Sequence, residues 1–460
     1  MKKGLIKILF ANIISLVINI LNSFLLPKYL SVDTYAILKT YTFYVGYAGF
    51  LSLGFADGMY LKYGGEELKN IDYKELGTSL RSYIVMEGII CSLMAVIALA
   101  MGNLILLAVA IGAFFINIIG YYKNLYQAVG EYGLYGRSLN YQTILLFLTN
   151  LVFLFVNHSD DANAYVAVQV ASALLIAFYL SVLIQRKTHL FAKGQTKLAV
   201  MKENVFSGFT LMLGNFSSSL FTGLDRWFVK ILMDNASFAL YSFAVSLENI
   251  INVFVTPITI SLYNAFCKRR DVAYVRGMKC LSMLWGLFIV AAAFPVKIIL
   301  THYLTAYQDA AGIIFPLFAA QIFYAIIKGI HVNLYKAEQK QKKYFFIMLI
   351  LLLVATVLNA IFYYIFRTEQ AFAFATLATA IIWFIYCEIE SPEYRFSFKE
   401  YCTLAIMLAV YFLTCQMPNS ILGLALYIGA LVLTSCLLMK NTMKTVFNLV
   451  KKAPALVRRK

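Results

Sequence analysis

Residues 204–243 read NVFSGFTLMLGNFSSSLFTGLDRWFVKILMDNASFALYSF, and their reading decides the fold. Most of the stretch is an apolar run of the length that crosses a bilayer as a helix, about 20 residues. Its far end nevertheless carries Asp225, Arg226 and Lys230. Helical spacing puts Asn215, Ser219, Thr222, Arg226 and Lys230 on one stripe, at steps of four, three, four and four. Charge inside a bilayer is costly, so such side chains are expected to face a bundle interior or a water-filled cavity.

Outward from this stretch the chain keeps the same character. It is 62% hydrophobic and only 13% charged over 460 residues, with a mean hydropathy of +0.77, whereas a soluble domain is about half apolar and a quarter charged. Runs of spanning length follow one another almost end to end. The fold class expected is therefore an all-α polytopic membrane protein of about fourteen transmembrane helices. They are placed at 5–26, 36–60, 80–101, 103–126, 138–156, 163–184, 204–229, 236–263, 279–299, 311–335, 344–366, 370–389, 401–416 and 420–439. The first has a basic start and no A-x-A cleavage site in the right place, so it is expected to be retained.

The net charge of +17 would suggest a nucleic-acid partner in a soluble protein. Here topology explains it, and no nucleic-acid partner is expected. With both termini cytoplasmic, Lys28, Lys39, Lys297 and Arg367 fall outside and Arg226, Lys230 and Lys328 fall in helices; the other 32 of 39 basic residues fall on the cytoplasmic side. That asymmetry obeys the positive-inside rule. The seven cysteines are scattered without CxxC or nearby His, and read as small apolar side chains rather than a disulfide framework or metal site.

The loops are short, about a dozen residues at most on the outer side, which leaves no room for an extracytoplasmic catalytic domain. No Walker A sequence, HExxH or nucleophile elbow is present, so the chain is not read as an enzyme. The basic linker 185–203 marks a boundary between halves; it reads first as a plain topogenic loop, with an anionic-lipid contact as the alternative. The organisation expected is 1–190 as one six-helix bundle, 191–392 as a second, and 393–460 as two further helices with a basic tail. A faint repeat supports it: KYLSVDTYAIL at 28–38 follows the first helix, and KILMDNASFAL at 230–240 follows the seventh. Repeated halves are common in transporters, with the transport site at their interface.

Four stretches carry a family resemblance: LLPKYLSVDTYAILKT and LSLGFADGMYLKYGG after the first helix, GLDRWFVKILMDNASFALYSFAVSLENI after the seventh, and NLYKAEQKQKKYFFIMLILLLVATVLNAIFYYIF around the eleventh. Over most of 1–390 the chain resembles the polysaccharide transporter family, the Wzx-type oligosaccharide flippases of the MOP (MATE-like) superfamily. It departs from the pattern where Ala36 and Ala239 stand in place of Gly. The resemblance implies a MATE-like fold, two bundles around a V-shaped central cavity plus two extra C-terminal helices. It also implies movement of undecaprenyl-pyrophosphate-linked oligosaccharide units, for O-antigen, capsule or exopolysaccharide, across a bacterial inner membrane by alternating access. Implied partners are the lipid-linked oligosaccharide and membrane lipids, with a glycan polymerase and a chain-length regulator as further candidates.

Such a cargo needs hydrogen-bonding side chains for sugar hydroxyls and cations for phosphate. The first helix offers Asn12, Ser15, Asn19 and Asn22; the seventh offers Asn215, Arg226 and Lys230; the tenth offers Gln321, Tyr324, Lys328, His331 and Tyr335 on one face. Substrate contacts are thus expected at Arg226, Lys230, Lys328, Asn12, Asn19, Asn215 and Tyr324, with Lys328 making first contact from inside. Asn and Ser stripes also serve as plain helix–helix contacts, and snorkelling is the plain alternative for Lys328. Carboxylates within helices point to ion coupling: Glu248, in line with Asn252 and Thr256; Glu87, beside Arg81; and Asp225. The alternative for these is a salt bridge to Lys328 or Arg226. No cofactor is expected beyond H+ or Na+ as coupling ion. A MATE-type drug or ion antiporter and a teichoic-acid-like glycan exporter of the same superfamily stay open as alternatives, although the cationic cavity set favours an anionic cargo.

Overall fold

The structure, a computed structural model, describes residues 2–188, 194–440 and 442–444; side chains of 2–13, 132, 136–139, 187–188, 253–254, 256–261, 264 and 341 lie outside that description. Every element among the described residues is helical, and each expected segment has a counterpart. Ten helical stretches among them are long and apolar enough to cross a membrane, which makes this a multi-pass helical membrane protein.

The first segment is α1 (Lys2–Tyr29). The second, expected as one helix over 36–60, is broken into α2 (Val32–Val45), a 3₁₀ turn at Ala48–Ser52, and α3 (Phe55–Lys62). Leu53 and Gly54 sit at φ of 49° and 87°, left-handed backbone that no α-helix can pass through. There follow α4 (Tyr73–Ala100), α5 (Leu104–Ala128), α6 (Tyr132–Phe155) and α7 (Ala162–Thr188). After the linker come α8 (Leu198–Leu232) and α9 (Asn235–Lys268). The ninth segment divides into α10 (Val272–Ile289) and α11 (Ala293–His302) across a 3₁₀ turn. The tenth divides into α12 (Ala311–Ile326) and α13 (Val332–Ala337) across a π-helical turn, Ile327–His331. The chain then forms α14 (Gln341–Phe366), α15 (Glu369–Glu390), α16 (Phe398–Cys415) and α17 (Ser420–Leu438).

The repeat reappears as matched caps. Ser31 Oγ accepts from the Thr34 N–H to start α2, and Asp234 accepts from the Ser237 N–H to start α9. Tyr35 and Ala36 after the first cap, and Phe238 and Ala239 after the second, are all buried to 1% exposure or less. Ala is therefore in place of Gly at positions where close packing still holds.

Packing divides the chain into two compact units, Met1–Leu220 and Phe221–Lys460, with the boundary inside α8. In the first unit, α1 is joined to α6: Ser15 Oγ donates to Asn140 Oδ1 at 2.8 Å, and Tyr29 meets Phe155 edge to face. Its core is aromatic, with Phe55, Tyr83, Tyr121 and Tyr122 buried among α3, α4 and α5 and the Tyr83 and Tyr121 rings stacked at 4.9 Å. The start of α8 lies backbone to backbone on α3: a Cβ on Gly58 would strike the Asn204 carbonyl, and one on Gly208 would strike Gly54. Only glycine allows that approach.

In the second unit, the Thr305–Ala337 stretch is the central element, 83% buried over its most apolar window. It packs against α9, α10 and α15. The C-terminal pair α16–α17 is attached to this unit through Phe294, Tyr411 and Tyr427, and Tyr427 Oη donates to the Leu287 carbonyl at 2.7 Å. Lys297 Nζ donates to the Cys415 and Met417 carbonyls, satisfying the end of α16.

Candidate functional site

Within the second unit a polar cavity of about 190 Å³ opens where α8, α9, α12 and α15 meet. Asp225 and Arg226 enter from α8, Glu248 and Asn252 from α9, Gln321 and Tyr324 from α12, and Thr376 from α15. Lys328 enters from the π turn, its Nζ 4.9 Å from the centre of the Tyr324 ring. A π turn inside an α-helix frequently marks a functional site, and here it delivers the one lysine of the cavity wall.

The carboxylates are held by neutral donors. Tyr241 Oη donates to Asp225 Oδ2 at 2.7 Å, and Thr376 Oγ1 lies at 3.4 Å from the same oxygen. Asp225 Oδ1 accepts the Arg226 backbone N–H at 2.7 Å. Gln321 Nε2 donates to Glu248 Oε1 at 2.5 Å, while Gln321 Oε1 is buried with no hydrogen-bond partner among the described residues. Two carboxylates and two cations make the lining formally neutral. The expectation of a predominantly cationic cavity is corrected accordingly: Asp225 and Glu248 share the space with Arg226 and Lys328. What the arrangement can do is hold an anion at the two cations, hydrogen-bond hydroxyls through Asn252, Gln321 and Thr376, and exchange a small cation at the carboxylates.

Of the residues expected at a site, Arg226, Lys328, Tyr324, Glu248 and Asp225 are thus brought together. Lys230 is not; its Nζ donates to Asn235 Oδ1 at 2.9 Å, near the end of α8. Asn215 lies in the first unit, 3.5 Å from Asp57 Oδ1. Asn19 is exposed on α1, and the Asn12 side chain lies outside the described residues. Asn22, like Ser15, faces α6, with Asn150 Nδ2 3.4 Å from its Oδ1, which is the helix–helix role. Glu87 is fully buried in the first unit, where Asn117 Nδ2 donates 2.9 Å bonds to Glu87 Oε2 and to the Ala48 carbonyl. Glu87 Oε1 has no hydrogen-bond partner among the described residues.

The five-residue stripe on the tenth segment is also corrected. Gln321, Tyr324 and Lys328 face the cavity, but the wider π turn rotates the chain less per residue, and the residues after it fall on another side. His331 instead lies 4.0 Å from Glu388 Oε1, and Tyr335 donates to Glu390. Glu388 belongs to a buried ion pair with Lys279, which loop counting takes for a cytoplasmic cation. No local signal marks the partner: the two residues are 109 positions apart, Lys279 in the middle of α10 and Glu388 near the end of α15.

No curated protein matches the sequence. Among solved structures, the chain is similar to the lipid II flippase MurJ in an inward closed conformation, with 14% identity and a TM-score of 0.70, covering 95% of this chain and 100% of that one. It is also similar to a multidrug resistance MATE family transporter of the MOP superfamily in an inward-facing conformation, with 13% identity and a TM-score of 0.54, covering 83% and 94%. At these identities the likeness is one of fold. Residues 1–268 match the family model described as polysaccharide biosynthesis protein, more than half of the sequence, and the chain belongs to that family.

Proposed function

We propose that the protein moves a polyprenyl-pyrophosphate-linked oligosaccharide, in the form of an undecaprenyl-linked repeat unit for O-antigen, capsule or exopolysaccharide, from the cytoplasmic to the outer leaflet of a bacterial inner membrane. The observation that carries the reading is the cavity of the second unit, where Arg226 and Lys328 stand among amide and hydroxyl side chains inside a membrane-spanning bundle. Family membership and a fold shared with a lipid II flippase support it. The two cations bind the pyrophosphate, and the amides and hydroxyls bind the sugar. Asp225 and Glu248 are the sites for a coupling ion: H+ or Na+ binds them as cargo leaves on the outer side and is released as new cargo binds on the cytoplasmic side, so an inward ion gradient drives export; Glu87 is the corresponding carboxylate of the first unit. Lys230, Asn12, Asn19 and Asn215 make further contacts along the path. Alternating access, with both termini cytoplasmic, completes the cycle, and a polymerase and chain-length regulator consume the product.

The test is a deletion strain, which should accumulate lipid-linked repeat units on the cytoplasmic side. Lys328→Ala and Arg226→Ala, at wild-type abundance, should restore surface glycan poorly, and full restoration by both would remove the cavity from the mechanism. Glu248→Gln and Glu87→Gln should each lower gradient-driven transport; unchanged rates in both would remove the coupling role.

A further inference from the structure

The π turn that delivers Lys328 to the cavity touches, three residues later, a second buried polar cluster with no part in the mechanism so far. Its centre is Glu388 at the end of α15, which is 5% exposed. Lys279 of α10 pairs with Glu388 Oε1 and also donates to the Tyr394 carbonyl at 2.9 Å. Tyr401 Oη, from α16, donates to Glu388 Oε2 at 2.5 Å, and the Phe396 N–H donates to the same oxygen at 3.0 Å. One carboxylate thus ties α10, α15 and the start of α16.

Two contacts join this cluster to the turn. His331 is 2% exposed, and its Nε2, without a hydrogen-bond partner among the described residues, lies 4.0 Å from Glu388 Oε1. That is too long for a hydrogen bond and close enough for the carboxylate to orient the ring. Gly329, next to Lys328, lies on α10 one turn beyond Lys279: a Cβ there would stand 3.3 Å from Ser282 Oγ. Asn333 Nδ2 adds a local 2.9 Å bond to the Gly329 carbonyl, four residues earlier in the same segment. The turn is therefore held by contacts outside the cavity, and Lys328 is its residue that lines the cavity.

We propose that Glu388, acting through His331, is a positioning residue for Lys328: the buried cluster sets the rotation of the π turn and so where the Lys328 ammonium stands in the cavity. The proposal rests on the reading of Lys328 as a cargo contact only for its functional meaning; the geometry is testable without cargo.

The experiment places a reporter thiol at the site. Cys267, Cys436 and Cys402 are replaced by Ser, the buried cysteines are kept, and Lys328→Cys is introduced; the same background with Lys328 intact gives the blank. The rate of alkylation at position 328 by a water-soluble maleimide is measured in detergent-solubilised protein, beside its melting temperature. Glu388→Gln and His331→Ala are expected to change that rate several-fold. Lys297→Met is the control, since it releases the far end of α16 and lowers the melting temperature without touching the turn; its rate should stay at the parent value. Equal rates in all variants would overturn the proposal. So would the same rate change in Lys297→Met, which would make the effect one of general loosening. If Glu388→Gln does not fold, His331→Ala carries the test alone, and an unchanged rate there overturns it. Full transport by Lys328→Ala would overturn the cargo role of Lys328 while leaving the alkylation result standing.

Discussion

Breaking the Lys279–Glu388 pair should cost far more than removing it. Both side chains are out of solvent, with exposures of 0% and 7%. Lys279→Met leaves Glu388 charged and, among the described residues, hydrogen-bonded by the Tyr401 O–H and the Phe396 N–H. An uncompensated buried charge of this kind costs about 3–5 kcal/mol. Glu388→Gln strands the ammonium on the Tyr394 carbonyl and should cost a similar amount. In the double variant no charge remains, and the amide oxygen still accepts from Tyr401 or Phe396, so the residual loss is that of about one unsatisfied group, about 1–3 kcal/mol. The coupling in a double-mutant cycle is then at least about 3 kcal/mol. The readout is favourable, because Trp227, Trp285 and Trp383, the three tryptophans of the chain, all lie in the second unit. Denaturant unfolding in mixed micelles followed by their fluorescence therefore reports the unit that holds the pair. If Lys279→Met stays within about 1 kcal/mol of wild type, or the double variant loses the sum of the two singles, the pair is not a coupled buried ion pair.

Four further outcomes follow from the surroundings of residues in the two units. Gly58→Ala should lose more than the usual overpacking cost of about 1–3 kcal/mol, because the new methyl meets the backbone of α8 rather than a yielding side chain. Gly49→Ala, with open space around it, should stay within about 0.5 kcal/mol on the same thermal melt. Tyr241→Phe keeps the ring against Phe372 but removes the 2.7 Å donor to Asp225. Soluble proteins would predict about 1.5–3 kcal/mol for a bond to a charged group, and membrane double-mutant cycles at most about 1.7, so a loss of about 1–2 kcal/mol is expected by tryptophan fluorescence. Asp271, outside the spanning segments, caps α10; the Arg269 guanidinium and the Tyr274 N–H hold its carboxyl below the usual aspartate range. A depressed folded value means stabilisation that is present above the ordinary value of about 3.9 and lost as pH falls through the depressed one. The stability gap between wild type and Asp271→Asn should therefore exist at neutral pH and close in acid; a gap that persists in acid would assign the effect to packing.

What could be read from the sequence was whatever is periodic or local. Hydropathy placed the helices because every span must hide its backbone within itself. The repeat was legible because its marks are adjacent in sequence: a capping Ser31 or Asp234 followed by a buried aromatic and Ala. Arg226, Glu248 and Lys328 were recognisable since a charge in an apolar run is conspicuous wherever it points. The misplacements share one cause, which is that helical period was extended across positions where the helix changes. Leu53 and Gly54 break the second segment through a left-handed backbone that LSLGFADG does not announce. The Ile327–His331 turn sends Lys328 to the cavity and His331 to Glu388, although the spacing of 324, 328, 331 and 335 suits one unbroken face. A π turn forms where tertiary contacts outweigh a regular hydrogen bond, and those contacts here come from Ser282 and Glu388, both on other helices. Residues whose positions depend on such a turn are not visible to any rule of spacing. Because the turn lies between the cavity and the buried ion pair, a change at either can be transmitted to the other through the Gly329–His331 backbone.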